Sequence, residues 1–146
     1  MIQVKIQKLN PTARMPERGS SYAAGFDLRA CLDGEIVIAP GATAMVGTGL
    51  AAEIPEGYFG AVFARSGLAA REGLRPANCV GVCDCDYRGE YTVALHNDSA
   101  EPRTIQPGER IAQLVILPCP AVEFVEAGNL SGTERGAGGF GSTGKQ

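Results

Sequence analysis

Tryptophan is absent from this chain, histidine occurs once, and aromatic residues make up only 6% of it. The missing indoles and the thin aromatic content count against a carbohydrate-binding β protein, which stacks sugar rings on flat side chains. With His96 as the sole imidazole, neither a Ser-His-Asp relay nor a clustered-histidine metal centre is a strong candidate. An excess of positive charge is lacking too: 13 Lys and Arg face 16 Asp and Glu, for a net charge of −3. That balance argues against a general nucleic-acid binder, which needs a basic face. It leaves room for a compact anion held by a few local arginines. No apolar run approaches the ~20 residues of a membrane span. Met1-Ile2-Gln3-Val4-Lys5-Ile6 does not read as a signal peptide, so the expectation is a cytoplasmic protein with no membrane partner.

Cysteine is present in an odd number, five: Cys31, Cys79, Cys83, Cys85 and Cys119. Without a secretion signal, that count reads as free thiols. Cys79, Cys83 and Cys85 have the spacing C-x3-C-x-C, and no second Cys or His pair stands at finger or ribbon spacing. Core or edge filling is the expectation for these cysteines and for His96.

What the chain does have is a strand-and-turn pattern. Its 146 residues suffice for one domain that buries about 68–70% of its unfolded surface. Hydrophobic content of 45% and charged content of 20% mark a globular composition. Apolar and polar residues alternate in Val4–Leu9 and, weakly, in Glu35–Ile38. Tyr58–Phe63, Tyr91–Leu95, Ile111–Leu117 and Val122–Val125 are short β-branched or aromatic runs. Asp33-Gly34, Pro40-Gly41, Pro55-Glu56-Gly57, Arg88-Gly89 and Pro107-Gly108 separate them as turns. No window sustains a helical period, and the best helix candidate is a short piece at Leu68–Arg71. The fold class expected is all-β: a sandwich, barrel or jelly roll spanning residues 1–130, followed by a glycine-rich arm at 131–146.

The arm matches two nucleotide motifs and fits neither. Gly136-Ala137-Gly138-Gly139-Phe140-Gly141 has the form G-x-G-x-x-G, and Gly139 to Lys145 has the form G-x-x-x-x-G-K. Both motifs need a strand before the glycines and a helix after them. Only Gln146 follows Lys145, so no helix is expected, and the Ser or Thr of the phosphate loop is missing. One reading is a disordered tail. The other is a segment that orders on binding, because glycine lets successive N–H groups approach an anion presented by something else.

Four further segments carry polar or glycine residues where a strand core wants apolar ones. In Ala24-Gly25-Phe26-Asp27-Leu28-Arg29-Ala30, Asp27 and Arg29 alternate with apolar residues, and a cross-strand ion pair accounts for them. In Phe63-Ala64-Arg65-Ser66-Gly67-Leu68-Ala69, a strand runs into a helix start. That corner suits either a phosphate contact or a helix cap by Ser66. The stretch Asn78–Glu90 is the densest. Asp84 and Asp86 lie two apart and, in extended chain, share a face with Val82, while Cys83, Cys85 and Tyr87 take the other. In Gly108–Val115, Arg110 and Gln113 interrupt an apolar strand.

Taken in order, AGFDLRA, ARSGLA, GVCDCDYRGE, GERIAQLV and RGAGGFGSTG resemble the five motifs of the trimeric dUTPase family, over nearly the whole chain. The resemblance implies a jelly-roll-like β fold (β-clip), a homotrimer, and active sites at subunit interfaces closed by a flexible arm from a neighbour. It implies hydrolysis of dUTP to dUMP and pyrophosphate, which limits uracil in DNA and supplies dUMP for dTMP synthesis. By the same resemblance Asp84 is the general base. Asn78 and the adjoining backbone, with Gly81 and Val82, read uracil in a tight hairpin. Tyr87 packs under the deoxyribose and excludes a 2′-hydroxyl. Arg65, Ser66, Gly67 and Gln113 contact phosphate, and Asp27 assists a metal through water. Arg135, Ser142, Thr143 and Gly144 clamp the outer phosphates, Phe140 stacks on the base, and Gly141 between them belongs to the same substrate-binding arm.

Mg²⁺ is the expected cofactor, with no direct protein ligand, because this ion binds triphosphates through phosphate oxygens and water. Departures from the family pattern are Ala64, where proline is frequent, and Cys83 and Cys85 beside the base. An exposed Cys85 thiol there would make activity sensitive to oxidation. Three other functions fit less well: a dCTP deaminase of the same fold, a nucleotide-switched regulator without turnover, and a carbohydrate-binding jelly roll.

Overall fold

The computed structural model describes residues 2–139. Among these residues it has twelve strands and one short helical turn. The strands are β1 (Lys5–Lys8), β2 (Glu17–Arg18), β3 (Phe26–Arg29), β4 (Ile36–Ile38), β5 (Thr43–Gly47), β6 (Leu50–Glu53), β7 (Tyr58–Phe63), β8 (Leu74–Pro76), β9 (Val80–Cys83), β10 (Thr92–Asn97), β11 (Arg103–Ile105) and β12 (Arg110–Pro118). Every pairing is antiparallel. The main sheet has the order β2-β3-β12-β7-β9, a second has β5-β10-β8, and two ribbons pair β1 with β6 and β11 with β4. The all-β expectation holds.

The core lies between the main sheet and the three-stranded sheet. Leu28, Val62, Ala112 and Leu114 of the first meet Val46, Val93 and Leu95 of the second, all buried. β12 is central, with β3 on one side and β7 on the other. It carries a β-bulge between Arg110 and Ala112. Residues three apart on a regular strand point to opposite faces. The extra residue of the bulge cancels that alternation, so Arg110 comes round to the face of Gln113. The helical turn Leu68–Glu72 is where the sequence suggests it, and it ends at Gly73, whose left-handed backbone (φ 69°) lets its N–H reach the Leu68 carbonyl.

Two local expectations fail. Val122–Val125 is not a strand: β12 ends at Pro118, the Cys119 N–H still donates to the Gly57 carbonyl (2.7 Å), and residues 119–127 have no regular structure. Val122 and Phe124 stand 72% and 96% exposed. A β-branched run makes a strand only beside a pairing edge, and none in the described chain lies beside it. The stretch after Asn78 is also not a self-paired hairpin. β9 pairs with β7 in the main sheet, whereas β10 pairs with β5 and β8 in the other. The two strands diverge, and a cleft opens between them.

Candidate active site

The sheet order brings the four internal segments together. The first lies on β3, the fourth on β12, the second follows β7, and the third begins on β9, so they occupy four adjacent strands. Gln113 sits directly opposite Asp27 on one side and Phe63 on the other, and Phe63 sits opposite Val80. These four residues form one row across the sheet and share one face.

On that face Asp27 is the centre of a charge cluster. Arg65 Nε donates to Asp27 Oδ1 at 2.8 Å, and Arg110 Nη1 lies 3.3 Å from Asp27 Oδ2. The carboxylate is only 15% exposed. The cross-strand ion pair expected here is thus present for Asp27, whereas Arg29 makes none and donates to the Gly108 carbonyl (3.0 Å). Gln113 Nε2 donates to the Ala64 carbonyl at 2.9 Å, holding the backbone just before Arg65. Gly25 makes room for this amide, since a Cβ there would lie 2.2 Å from Gln113 Oε1. Ser66 and Gly67 follow, both exposed, at the start of the helical turn. The capping alternative for Ser66 fails, because the turn has no side-chain cap and Gly67 holds the capping position. A Cβ on Gly67 would meet nothing within 4 Å, and its φ of −64° suits any residue, so the chain's own packing does not require a glycine there.

The second cluster surrounds the cleft between β9 and β10, a space of about 470 Å³ lined by Asn78, Gly81, Val82, Asp84, Tyr87, Glu90 and Tyr91 among others. A Cβ on Gly81 would crowd Val62 Cβ at 3.2 Å, so the glycine lets this part of β9 lie close against β7, with the Asn78 amide beside it. β9 stops at Cys83, and the Tyr87 N–H closes a turn onto the Asp84 carbonyl (3.1 Å). Asp84 and Asp86 consequently do not share a strand face, contrary to the extended-chain reading. Asp84 is exposed at the cleft, and Arg88 Nη1 staples the turn through the Cys85 carbonyl (2.6 Å). The Tyr87 hydroxyl donates to the Glu90 carbonyl (3.1 Å), and its ring stacks on Tyr91 with centroids 6.1 Å apart.

The thiols beside Asp84 differ from expectation. Cys83 and Cys85 are half-buried against the core, whereas Cys79 and Cys119 are exposed. The filling role holds for these two and for Cys31, which also packs against the core, and not for Cys79 and Cys119; the Cys85 thiol expected to be exposed beside the base is half-buried instead. Burial pushes the Cys83 thiol up, the Tyr91 hydroxyl opposes this, and the charge on Asp84 adds to it. Burial likewise pushes the Tyr91 phenol far up, reinforced by Cys83. Both groups therefore stay neutral around pH 7. Among the described residues no cluster of three or more metal-ligating side chains occurs.

Comparison with known proteins decides what this arrangement belongs to. The family model described as dUTPase matches residues 12–144. The chain belongs to the dUTPase family. Deoxyuridine 5′-triphosphate nucleotidohydrolases from Desulfitobacterium hafniense (strain DSM 10664 / DCB-2) and Nautilia profundicola are 50% and 49% identical to it. These matches cover 98% and 99% of this chain, and 97% and 100% of those proteins. The fold matches that of a Staphylococcus bacteriophage 80alpha dUTPase solved with dUpNHpp, with a TM-score of 0.89 and 30% identity over 97% of this chain and 98% of that one. A mutant dUTPase from phage phi11 of S. aureus, described with a structural Mg(II) ion, matches with a TM-score of 0.78 and 26% identity over 87% and 97% of the two chains. The deaminase and carbohydrate-binding alternatives give way to this family assignment.

Within this dUTPase, Gly25, Arg110 and Glu90 were not among the residues expected to matter. Arg110 had a visible signal, a charge inside an apolar strand, but its partner needed the bulge. Glu90 Oε1 accepts the Gly49 N–H at 2.7 Å and ties the loop after β5 to the cleft. Arg135 Nε donates to the Gly138 carbonyl (2.8 Å) in a turn of its own arm. Phe140, Gly141, Ser142 and Thr143 lie outside the described residues.

Proposed function

We propose that the chain hydrolyses dUTP to dUMP and pyrophosphate by attack of water on the α-phosphorus, with Asp84 as the general base. The observation that carries this reading is the exposed Asp84 carboxylate at the rim of a cleft large enough for a nucleoside. A carboxylate there accepts a proton from the attacking water within hydrogen-bond reach while pyrophosphate departs. Asn78, Gly81 and Val82 offer an amide and close backbone to a pyrimidine edge. Tyr87 stands where the sugar ring would rest, and a 2′-hydroxyl would collide with it.

Arg65, Ser66, Gly67 and Gln113 are the phosphate contacts. Two features support them: a Ser66 hydroxyl that does not cap the helical turn, and a Gly67 whose missing Cβ leaves open space for a ligand to approach the backbone. Asp27 positions Arg65. A carboxylate has about four acceptor sites, so its two guanidinium contacts leave others for water. The residues thus fit a Mg²⁺ carried by the triphosphate, with Asp27 reaching it through water. When bound, the ion neutralises phosphate charge and orients the α-phosphorus.

One chain does not assemble these parts. Asp84 lies just past the end of β9, four residues on from Val80, the end of the row through Phe63, Gln113 and Asp27, or about 13 Å at strand spacing. The cleft draws on both faces of the sheet edge: Leu28, Val62 and Gly81 alternate with that row, whereas Val82 shares its face. The phosphate contacts of one subunit therefore serve the cleft of another, in a homotrimer with intersubunit sites. Residues 1–130 form the β domain. The arm, 131–146, closes over a neighbour's site through Arg135, Phe140, Gly141, Ser142 and Thr143.

The test is pyrophosphate release from dUTP, dTTP, dCTP and UTP, with and without a chelator. dUTP should be strongly preferred, and chelation should slow its turnover. Asp84→Asn should retain nucleotide binding and lose turnover by about 10²–10⁴-fold. Wild-type rates in that variant, or ammonia released from dCTP, would overturn the assignment.

A further inference from the structure

Tyr91 belongs at once to the buried core and to the wall of the cleft. It is 4% exposed. Its backbone is held at three points: its N–H donates to the Leu50 carbonyl (2.8 Å), and its own carbonyl accepts the Thr48 N–H (3.2 Å) and the Thr48 hydroxyl (2.6 Å). Thr48 is itself buried, so this part of the wall is fixed to the body of the domain.

Tyr87 has the opposite character. It is 45% exposed and closes the turn that carries Asp84. Two surfaces define where its ring lies. One is the Tyr91 ring, stacked on it at 25° between planes. The other is Gly89, where a Cβ would lie 2.4 Å from the Tyr87 hydroxyl oxygen. The Tyr87 hydroxyl bond to the Glu90 carbonyl fixes the remaining freedom. An aliphatic residue at 91 would fill core volume but would offer no flat surface to a mobile ring.

We propose that Tyr91 is a positioning residue for Tyr87, and through it a determinant of selection between deoxyribose and ribose nucleotides. The inference rests on the sugar-sensing role of Tyr87 proposed above. Steric exclusion of one hydroxyl requires the excluding ring to hold its place, and the Tyr91 ring is what it rests on. Loss of the stacked surface lets Tyr87 yield, which admits UTP while leaving the chemistry at Asp84 in place.

The experiment measures kcat and KM for dUTP and UTP in the full chain carrying Tyr91→Phe, Tyr91→Leu, Tyr91→Met, Gly89→Ala or Tyr87→Ala. Tyr91→Phe keeps the ring and should keep the dUTP preference. Tyr91→Leu and Tyr91→Met should lower the preference about three- to tenfold, the range to which the energy of an aromatic pair corresponds. The change should be read in the ratio of kcat/KM for dUTP to that for UTP, with kcat/KM for UTP rising above its wild-type value. Gly89→Ala moves the Tyr87 ring from the outside without touching the core, and it should lower the preference even if the core variants fail to fold. An unchanged preference in the folded Tyr91→Leu, Tyr91→Met and Gly89→Ala proteins, with the preference lost in Tyr87→Ala, would overturn the inference and leave the proposed reaction standing. An unchanged preference in Tyr87→Ala would remove the sugar role of Tyr87, and the role of Tyr91 with it.

Discussion

Arg65, just past the end of β7, reaches across β12 to place its Nε 2.8 Å from Asp27 Oδ1 on β3. A guanidinium held by a half-buried carboxylate is pre-oriented, so less freedom is lost when its other nitrogens meet phosphate. Arg110 completes the arrangement from the second carboxylate oxygen.

Asp27→Ala should therefore act through Arg65 rather than on the chemistry directly. It leaves two guanidiniums without their partner, at a cost of about 1–3 kcal/mol in stability. KM for dUTP should rise more than kcat falls. A variant with unchanged KM and lowered kcat would show that the pair does not serve phosphate binding.

Gly25→Ala tests the room left for Gln113. The new methyl would strike the Gln113 amide oxygen, and the flexible side chain should swing away. The fold should survive with a melting temperature near that of the wild type, and activity should drop to a level close to that of Gln113→Ala. Full activity in the alanine variant would separate Gln113 from the site.

Shared sites predict complementation. Asp84→Asn and Arg65→Ala chains should each be nearly inactive alone. Unfolded together and refolded as mixed oligomers, they should recover a fraction of wild-type turnover, because some sites then draw an intact cleft from one chain and intact phosphate contacts from another. No recovery from a mixture shown to contain mixed oligomers would place each whole site within one subunit.

Alkaline pH should destabilise the protein through Tyr91 and Cys83. Both hold their protons to higher pH in the folded chain than in the unfolded one, chiefly by burial. Ordinary thiols and phenols ionise near ~8.5 and ~10. As pH rises through and above these values the unfolded chain releases protons that the folded chain keeps, so stability falls there and is untouched by these groups below them. Urea melts between pH 7 and 11 should show the decline, and Tyr91→Phe should flatten its upper part. Parallel curves above pH 10 would refute the contribution of Tyr91.

Much was legible before any coordinates. Short β-branched runs between Gly and Pro turns give β7 and the helical turn at Leu68–Glu72 almost to the residue, because these signals are local. The chemistry of the segments was legible for a similar reason: a base, an arginine and glycines had to occur in a recognisable order. Val122–Val125 misled because strand propensity says nothing about whether an edge waits beside it.

The amino-acid order by itself determined the fold class, the family and the list of reactive side chains, since each depends on residue type and spacing along the chain. Only the tertiary structure decided which of those side chains meet. Asp27 found Arg65 because β7 and β3 flank β12, and Arg110 because one bulge in β12 brought it to the same face, and Tyr87 came to rest on Tyr91 because β9 and β10 part into different sheets. Pairing register and sheet divergence arise from contacts between distant segments, and no local pattern encodes them.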